Sequence, residues 1–95
     1  MQIEVYGVQA PKEYCYACYR LKEILDLNDL PYTFIDCISY DSEIRYNREN
    51  IVQLASRLNK QSLAFVYPVI FLNGERINFN DFLIAVKDNG YNKHI

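Results

Sequence analysis

Two cysteines separated by two residues, Cys15 and Cys18, lie where a predicted β-strand meets a predicted α-helix. Alternating β-branched residues predict a strand over residues 2–6, which Gly7 ends. From Cys15 onward, apolar residues recur every three or four positions, and this spacing predicts a helix that ends near Asn28. A cysteine pair with this spacing at the start of a β-α-β unit is typical of a redox motif. The fold must therefore bring a strand end and a helix start together around these two side chains.

The middle of the chain predicts a second strand and a second helix. A strand-like run at 32–35 follows the first helix closely, so the opening is a β-α-β unit with two parallel strands and a right-handed crossover. Residues 37–45 are polar and turn-like. The periodic apolar residues that follow predict a second amphipathic helix over roughly 46–59.

The C-terminal part carries a hairpin signal followed by a last helix. The continuous apolar run 69–72 predicts a buried strand, and Asn73-Gly74 directly after it predicts a type I′ turn. Residues 75–77 then pair back as a fourth strand. Asn80 is the expected N-cap of the last helix, which Asn89-Gly90 ends. The element order β-α-β-α-β-β-α predicts a thioredoxin-like α/β fold, with a four-stranded mixed sheet and helices on both faces.

Length and composition limit the class of protein. A chain of 95 residues suits a single domain over 1–95, and 51% hydrophobic residues suffice for a core without metal or disulfides. The net charge of −2 provides no basic field for nucleic acid or anionic lipid. The first six residues do not resemble a signal peptide, and no window approaches the roughly 18 apolar residues of a membrane span. We therefore expect a cytoplasmic protein that binds neither nucleic acid nor membrane.

The position of the cysteine pair predicts thiol–disulfide chemistry. A cysteine attacks a disulfide as the thiolate, which the free N–H groups and the dipole at the start of a helix stabilise. Lys12, three residues upstream, adds a positive charge. Side chains at i and i+3 of a helix are neighbours, within the separation that a disulfide spans. We expect Cys15 to attack and Cys18, one turn into the helix, to resolve the mixed disulfide.

Other interpretations of the cysteines remain open. The pair could be half of a zinc site, but a structural zinc ion needs four ligands, and Cys37 and His94 are far apart in sequence. The pair could also be two inert buried thiols. Cys37 is expected to be a small apolar filler at a strand end, with a regulatory thiol as the alternative. His94 is expected to lie in a solvated C-terminal tail.

Two segments of the chain resemble the glutaredoxin family. Residues 12–22 (KEYCYACYRLK) are similar to the glutaredoxin active-site stretch, with its Lys, its C-P-Y-C motif and the basic helix that follows. Residues 67–74 (YPVIFLNG) are similar to the family segment V-P-x-V-F-I-N-G. The resemblance covers nearly the whole chain and keeps the family's spacings. It implies a monomeric, glutathione-dependent thiol–disulfide oxidoreductase, with glutathione as reductant and no bound prosthetic group.

The resemblance also implies roles for particular residues. Lys12 would contact a glutathione carboxylate, and the main chain of Tyr67 would pair with the cysteine of glutathione. The peptide bond between Tyr67 and Pro68 would be cis. Tyr16, beside the nucleophile, is a further candidate substrate contact. The substrates would be disulfide-containing proteins, among them ribonucleotide reductase, to which such small proteins donate electrons in bacteria and in large phages.

The chain departs from the family pattern at three places. Tyr16-Ala17 replaces Pro-Tyr, Tyr67 stands where Val is usual, and residues 77–82 (INFNDF) lack the family's Gly-Gly pair. Those glycines let glutathione approach the start of the last helix. In their absence, Asn80 and Asp81 are the residues expected to face the γ-glutamyl end of glutathione. The missing glycines also support an alternative, a redoxin that is reduced by thioredoxin reductase instead of glutathione.

A non-catalytic module that binds a metal or an iron–sulfur cluster is the second alternative function, which Cys18 and Tyr16 disfavour.

The charges around the second helix predict a solvated face, and one of its polar residues could instead contact the glycine carboxylate of glutathione. The charged residues are Arg45, Arg48, Glu49, Arg57 and Lys60, and the candidates for that contact are Arg57, Lys60 and Gln61.

Overall fold

The computed structural model describes residues 1–93, which form five β-strands and three α-helices. In chain order, the elements are β1 (Ile3–Gln9), α1 (Tyr16–Leu27), β2 (Thr33–Tyr40), β3 (Ile44–Tyr46), α2 (Arg48–Arg57), β4 (Val69–Leu72), β5 (Glu75–Ile77) and α3 (Phe79–Asp88). The strands form one mixed sheet in the order β3-β2-β1-β4-β5. β1 and β2 are parallel, and every other neighbouring pair is antiparallel. The first helix ends where predicted, with Asn28 as its C-cap.

The sheet has five strands, so the prediction of four was wrong. The additional strand, β3, falls within and just after the segment 37–45 that was predicted as a turn. β2 continues to Tyr40, and β3 pairs back along it, with Ile38 opposite Tyr46 and Tyr40 opposite Ile44. These cross-strand apolar pairs stabilise a hairpin because their side chains lie on the same face of the sheet. The polar residues between them form only its tip.

The predicted first strand was too short. β1 passes through Gly7 to Gln9, and its pairing with β2 shifts register between Gly7 and Val8, which is the mark of a β-bulge. Gly7 does not end the strand; it marks a close approach. A Cβ atom built on Gly7 would lie 2.9 Å from the Phe34 ring and 3.4 Å from the Cys18 sulfur. Only glycine leaves room for the Phe34 ring without displacement.

Two apolar clusters place the helices on opposite faces of the sheet. Successive residues of a strand point to opposite faces, and β1, β2 and β4 each contribute to both clusters. α1 and α3 cover one face, where Val5 and Ile70 meet Leu21 and Phe82. α2 covers the other face, in a cluster whose buried members are Tyr6, Cys37, Ile51, Leu54, Val69 and Phe71. The second helix is shorter than the predicted 46–59, because Tyr46 belongs to β3 and Asn47 is the N-cap.

The C-terminal hairpin has the predicted turn. Asn73 and Gly74 have φ values of 53° and 85°, the two left-handed residues that a type I′ turn requires. Asn89 is the C-cap of α3, and Gly90 follows with a φ of 91°, as expected for the end of this helix.

The N-cap of α3 is Asn78, so the prediction of Asn80 was wrong. The Asn78 side-chain oxygen accepts the main-chain N–H of Asp81 at 2.8 Å, and its amide donates to the Asp81 carboxylate at 2.8 Å. This reciprocal arrangement resembles a capping box, in which a cap residue and an acid three residues later satisfy each other. Asn78 has that acid at the required spacing, and Asn80 lies inside the first turn.

Among the described residues, no helix has the length and apolarity to cross a bilayer.

Candidate active site

Cys15 and Cys18 are joined by a disulfide at the N-terminus of α1. Their Cα atoms are 5.4 Å apart, within the range that disulfides span. Cys15 is the N-cap and is partly exposed, whereas Cys18 is only 2% exposed in the first turn. The outer sulfur is therefore the one that a second molecule would reach first, and the inner sulfur lies behind it against β1.

The Cys15 sulfur takes the place of the oxygen that usually caps a helix. It accepts the main-chain N–H of Cys18 at 3.3 Å. A helix start carries partial positive charge on its free N–H groups, so this position favours a negative sulfur. When the disulfide is reduced, the same geometry would stabilise a Cys15 thiolate.

The Tyr67–Pro68 peptide bond is cis, as predicted. The carbonyl oxygen of Tyr67 lies 3.9 Å from the Cys15 sulfur. β1 pairs with β4 only as far as Val69, so Tyr67 lies beyond the end of this ladder. Within residues 1–93, its main-chain N–H has no main-chain partner. A length of unpaired main chain thus borders the disulfide.

A groove of about 390 Å³ opens beside this main chain. Its walls come from the first turns of α1, the segment before β4 and the start of α3. Most of the groove surface is apolar. Of the seven residues that line it, Arg20 is the one with a charge. The lining residues are Tyr16, Ala17, Arg20, Val66, Tyr67, Pro68 and Phe79.

The structure brings three of the predicted substrate-binding residues together in this groove: Tyr16, Tyr67 and Pro68. The other three predicted contacts, Lys12, Asn80 and Asp81, are exposed and do not line it. The Lys12 ammonium lies 5.7 Å from the centre of the Tyr19 ring. The main-chain N–H of Asp81 is already donated to Asn78.

Cys37 is fully buried in the cluster beneath α2, opposite the face that α1 covers. Burial raises the pKa of its thiol, which keeps the sulfur neutral. It lies inside β2 and not at a strand end, because the strand runs on to Tyr40. The Tyr67 side chain packs on this same cluster, and burial together with the neighbouring Cys37 raises the pKa of its phenol. Tyr67 therefore touches both the outer cysteine, through its carbonyl, and the buried one, through its ring.

The structure holds no candidate metal cluster within residues 1–93, where no three His, Cys, Asp or Glu side chains converge. His94, one of the residues considered for a zinc site and for a solvated tail, lies outside the described residues. Nothing in the described part of the chain therefore adds ligands to the cysteine pair.

Arg57, on the expected solvated face of the second helix, also binds the sheet. Its guanidinium forms two hydrogen bonds with the Glu4 carboxylate, at 2.8 and 3.1 Å, and lies 3.7 Å from the centre of the Phe71 ring. The hydrogen bond with Glu4 raises the pKa of Arg57. Arg57 thus links α2 to the sheet while it remains exposed, as do Lys60 and Gln61.

Two residues that shape the site were not predicted from the sequence. Gly7 leaves room for the Phe34 ring beside Cys18, and Val66, together with Phe79, forms an apolar wall of the groove. A glycine inside a strand often marks a close approach, so Gly7 carried a readable signal. Val66 carried none, because its role depends on how α3 and the segment before β4 meet.

The sequence is similar to one curated protein of a bacteriophage. No model of a known protein family matches the chain. The relative is an 11.8 kDa protein in the Gp55-nrdG intergenic region of Enterobacteria phage T4, and it is 35% identical over 98 residues. The match covers 99% of this chain and 93% of the phage protein. The chain therefore belongs to the family of this phage T4 protein.

Proposed function

We propose that the protein is a glutaredoxin-like thiol–disulfide oxidoreductase. The observation that carries this proposal is the Cys15–Cys18 disulfide, with a buried inner sulfur and a partly exposed outer sulfur at a helix N-terminus. A purely structural disulfide is not needed there, because the apolar cluster between α1 and the sheet already holds the two together.

The arrangement of the elements supports a thioredoxin-like fold for this enzyme. Strands β2, β1, β4 and β5 form a mixed four-stranded unit, with α1 and α3 on one face and α2 on the other. β3 extends this unit by one strand at the edge formed by β2. The cysteine pair lies at the N-terminus of α1, with the Cys18 sulfur close to Gly7 of β1, which supports this proposed architecture.

The chemistry assigns one step to each cysteine. The Cys15 thiolate attacks one sulfur of a substrate disulfide, forms a mixed disulfide with it and releases the other sulfur as a thiolate. Cys18, as a thiolate, then attacks the Cys15 sulfur, which releases the second substrate thiol and leaves the Cys15–Cys18 disulfide. Two electrons pass from the protein dithiol to the substrate disulfide, and each released thiolate takes a proton from solvent.

Glutathione is the proposed reductant that restores the dithiol. Two glutathione molecules would supply the two electrons and leave as glutathione disulfide, with no bound prosthetic group. Support comes from the unpaired main chain of Tyr67, which lies against Cys15 and offers an edge for the glutathione cysteine. The proposed substrates are disulfide-containing proteins, with ribonucleotide reductase as the candidate that the glutaredoxin resemblance names. We propose that the protein works as a monomer in the cytoplasm.

Reduction by thioredoxin reductase is a second candidate, and the start of α3 favours it. There, Asn78 already occupies the Asp81 N–H, and Phe79 lines the groove. A charged γ-glutamyl group would meet fewer free donors than an open helix start provides.

A coupled NADPH assay distinguishes these candidates. One arm contains glutathione and glutathione reductase, the other contains thioredoxin reductase, and both use bis(2-hydroxyethyl) disulfide as substrate. We expect NADPH consumption in the glutathione arm that disappears in the Cys15→Ser variant. If NADPH were consumed only in the thioredoxin reductase arm, thioredoxin reductase would be the electron source and the proposed reaction would stand. No NADPH consumption in either arm would overturn the proposed function.

A further inference from the structure

The groove beside the disulfide has walls that suit an apolar side chain. Val66 is 89% exposed and Tyr16 is 65% exposed, although both are large and apolar or aromatic. They face the same groove as Phe79 and Pro68. Burying such surface on binding is favourable in proportion to its area, so an apolar ligand group would gain contacts here.

The charged groups near the groove already have partners within the protein. Arg20 is the charged residue that lines it, and its guanidinium already pairs with Glu23. At the start of α3, the Asn78 side chain takes the N–H of Asp81, and the Asp81 carboxylate adds negative charge. An apolar side chain needs no charged partner on these walls, so the groove can bury it without an electrostatic cost.

The main chain beside the groove indicates how a ligand would lie. Tyr67 follows directly on the exposed Val66, just outside the ladder between β1 and β4, and its N–H has no main-chain partner among residues 1–93. An extended peptide can pair with such an edge as an added strand. In an extended peptide, residues two apart point to the same side. When the substrate cysteine points toward Cys15, a residue two positions away also points toward the protein.

We propose that this groove selects protein disulfides in which an apolar side chain lies two residues from the reacting cysteine. The occupant is an extended, cysteine-containing segment of a protein, and Val66, Phe79 and Tyr16 are its specificity-determining residues. The inference rests on the proposed oxidoreductase activity, since the reacting sulfur of Cys15 sets the position of the occupant.

A peptide series tests this directly. Glycine- and serine-based hexapeptides with one cysteine are converted to symmetric disulfides, and a single Phe is placed one or two residues before or after the cysteine. The chemically reduced protein is mixed with each peptide, and peptide thiol release is followed by chromatography. We expect Phe at two residues on one side to raise the rate about 3- to 10-fold over the Phe-free peptide, the effect of one partly buried apolar side chain. Phe at the adjacent positions should raise it less than about 2-fold, since these side chains point away from the protein.

Two serine substitutions of exposed valines complete the experiment. Val66→Ser should reduce the ratio of the best Phe peptide to the Phe-free peptide by at least about half, because it removes one wall of the groove. Val52→Ser, an exposed valine of α2 outside the groove, should leave this ratio unchanged. Val66 is so exposed that its substitution does not disturb the core.

The outcomes separate the inference from the function on which it rests. A measurable rate on the Phe-free peptide, with equal rates for all Phe peptides, would overturn the inference and leave the oxidoreductase activity in place. If the faster reaction of the Phe peptide persisted in Val66→Ser, the selectivity would reside elsewhere, and the proposed role of the groove would be wrong. No reaction with any peptide would overturn both proposals.

Discussion

The N-termini of α1 and α3 flank the same groove and are capped in the same way by different chemical groups. At α1, the Cys15 sulfur accepts the N–H of the residue three positions later, at 3.3 Å. At α3, the Asn78 oxygen accepts the equivalent N–H, from Asp81, at 2.8 Å. An amide cap is permanent, whereas a sulfur cap gains or loses negative charge as its bond to Cys18 is broken or made. Equivalent capping geometry thus holds a sulfur that can change its charge at one helix and a permanent cap at the other, so we propose a reactive role for the first and a purely stabilising role for the second.

Exchanging the sulfur cap for an oxygen cap separates these two roles most strongly. Cys15→Ser keeps an N-cap residue of the preferred kind, so α1 should remain folded. Disulfide reduction should fall at least about 100-fold, because the nucleophile is lost. The coupled assay measures activity, and far-ultraviolet circular dichroism measures helix content.

Cys18→Ser is the matched control for this experiment. It should lose reduction of protein disulfides but keep reduction of glutathione mixed disulfides, which needs only Cys15. Faster alkylation of Cys18 than of Cys15 at pH 6 in the reduced protein would reverse the assigned roles.

Gly7 tests the close contact of α1 with β1, which lies behind the sulfur cap. In Gly7→Ala, the new methyl group meets the Phe34 ring at 2.9 Å and the Cys18 sulfur at 3.4 Å. Overpacking costs about 1–3 kcal/mol, and Ala is favoured over Gly in a strand by roughly 0.5–1 kcal/mol. We expect the free energy of unfolding in urea to fall by about 1–2 kcal/mol. Adding Phe34→Leu should recover part of this loss, and a purely additive double variant would show that the ring does not clash.

Removing the amide cap should cost stability without touching the cysteines. Asn78→Ala should lower the free energy of unfolding by about 1 kcal/mol, the usual cost of losing an N-cap. Asn47→Ala at the start of α2 is the matched control, because Asn47 caps its helix by the same contact at a longer distance of 3.3 Å. We therefore expect the larger loss at Asn78. Equal stability of Asn78→Ala and the parent protein would contradict the assigned cap.

The smallest expected effect concerns the charge upstream of the sulfur cap. Lys12→Gln should slow alkylation of reduced Cys15 by iodoacetamide at pH 6 by about 2- to 5-fold, since a partly screened positive charge is lost. Lys60→Gln, a matched exposed lysine beyond α2, should change the rate much less. An unchanged rate in Lys12→Gln would show that Lys12 acts on the Tyr19 ring alone.

Local signals in the sequence were sufficient for much of the fold and for the centre of the site. The apolar spacing of α1, the left-handed pair Asn73-Gly74 and the ending at Asn89-Gly90 are properties of short segments, and the structure confirms all three. The geometry of the cysteine pair is local too, because positions i and i+3 of a helix start are always neighbours. These features needed no knowledge of the rest of the chain.

The tertiary structure decided the features that depend on residues far apart in sequence. β3 forms because Ile44 and Tyr46 find Tyr40 and Ile38 across a polar tip, and polar composition alone predicted a turn. Gly7 continues β1 instead of ending it, because the strand pairs with β2 through this residue, and the Phe34 ring takes the space of its missing side chain.

The walls of the groove and the partner of Arg57 also depend on residues that are far apart in sequence. Val66 and Phe79 meet only when α3 packs beside the segment before β4, and Arg57 reaches Glu4 across 53 residues. The sequence by itself determined where the two sulfurs lie relative to the helix start, since capping and helical spacing are set within one turn. Only the tertiary structure decided what surrounds them, because packing selects among many equally possible long-range neighbours.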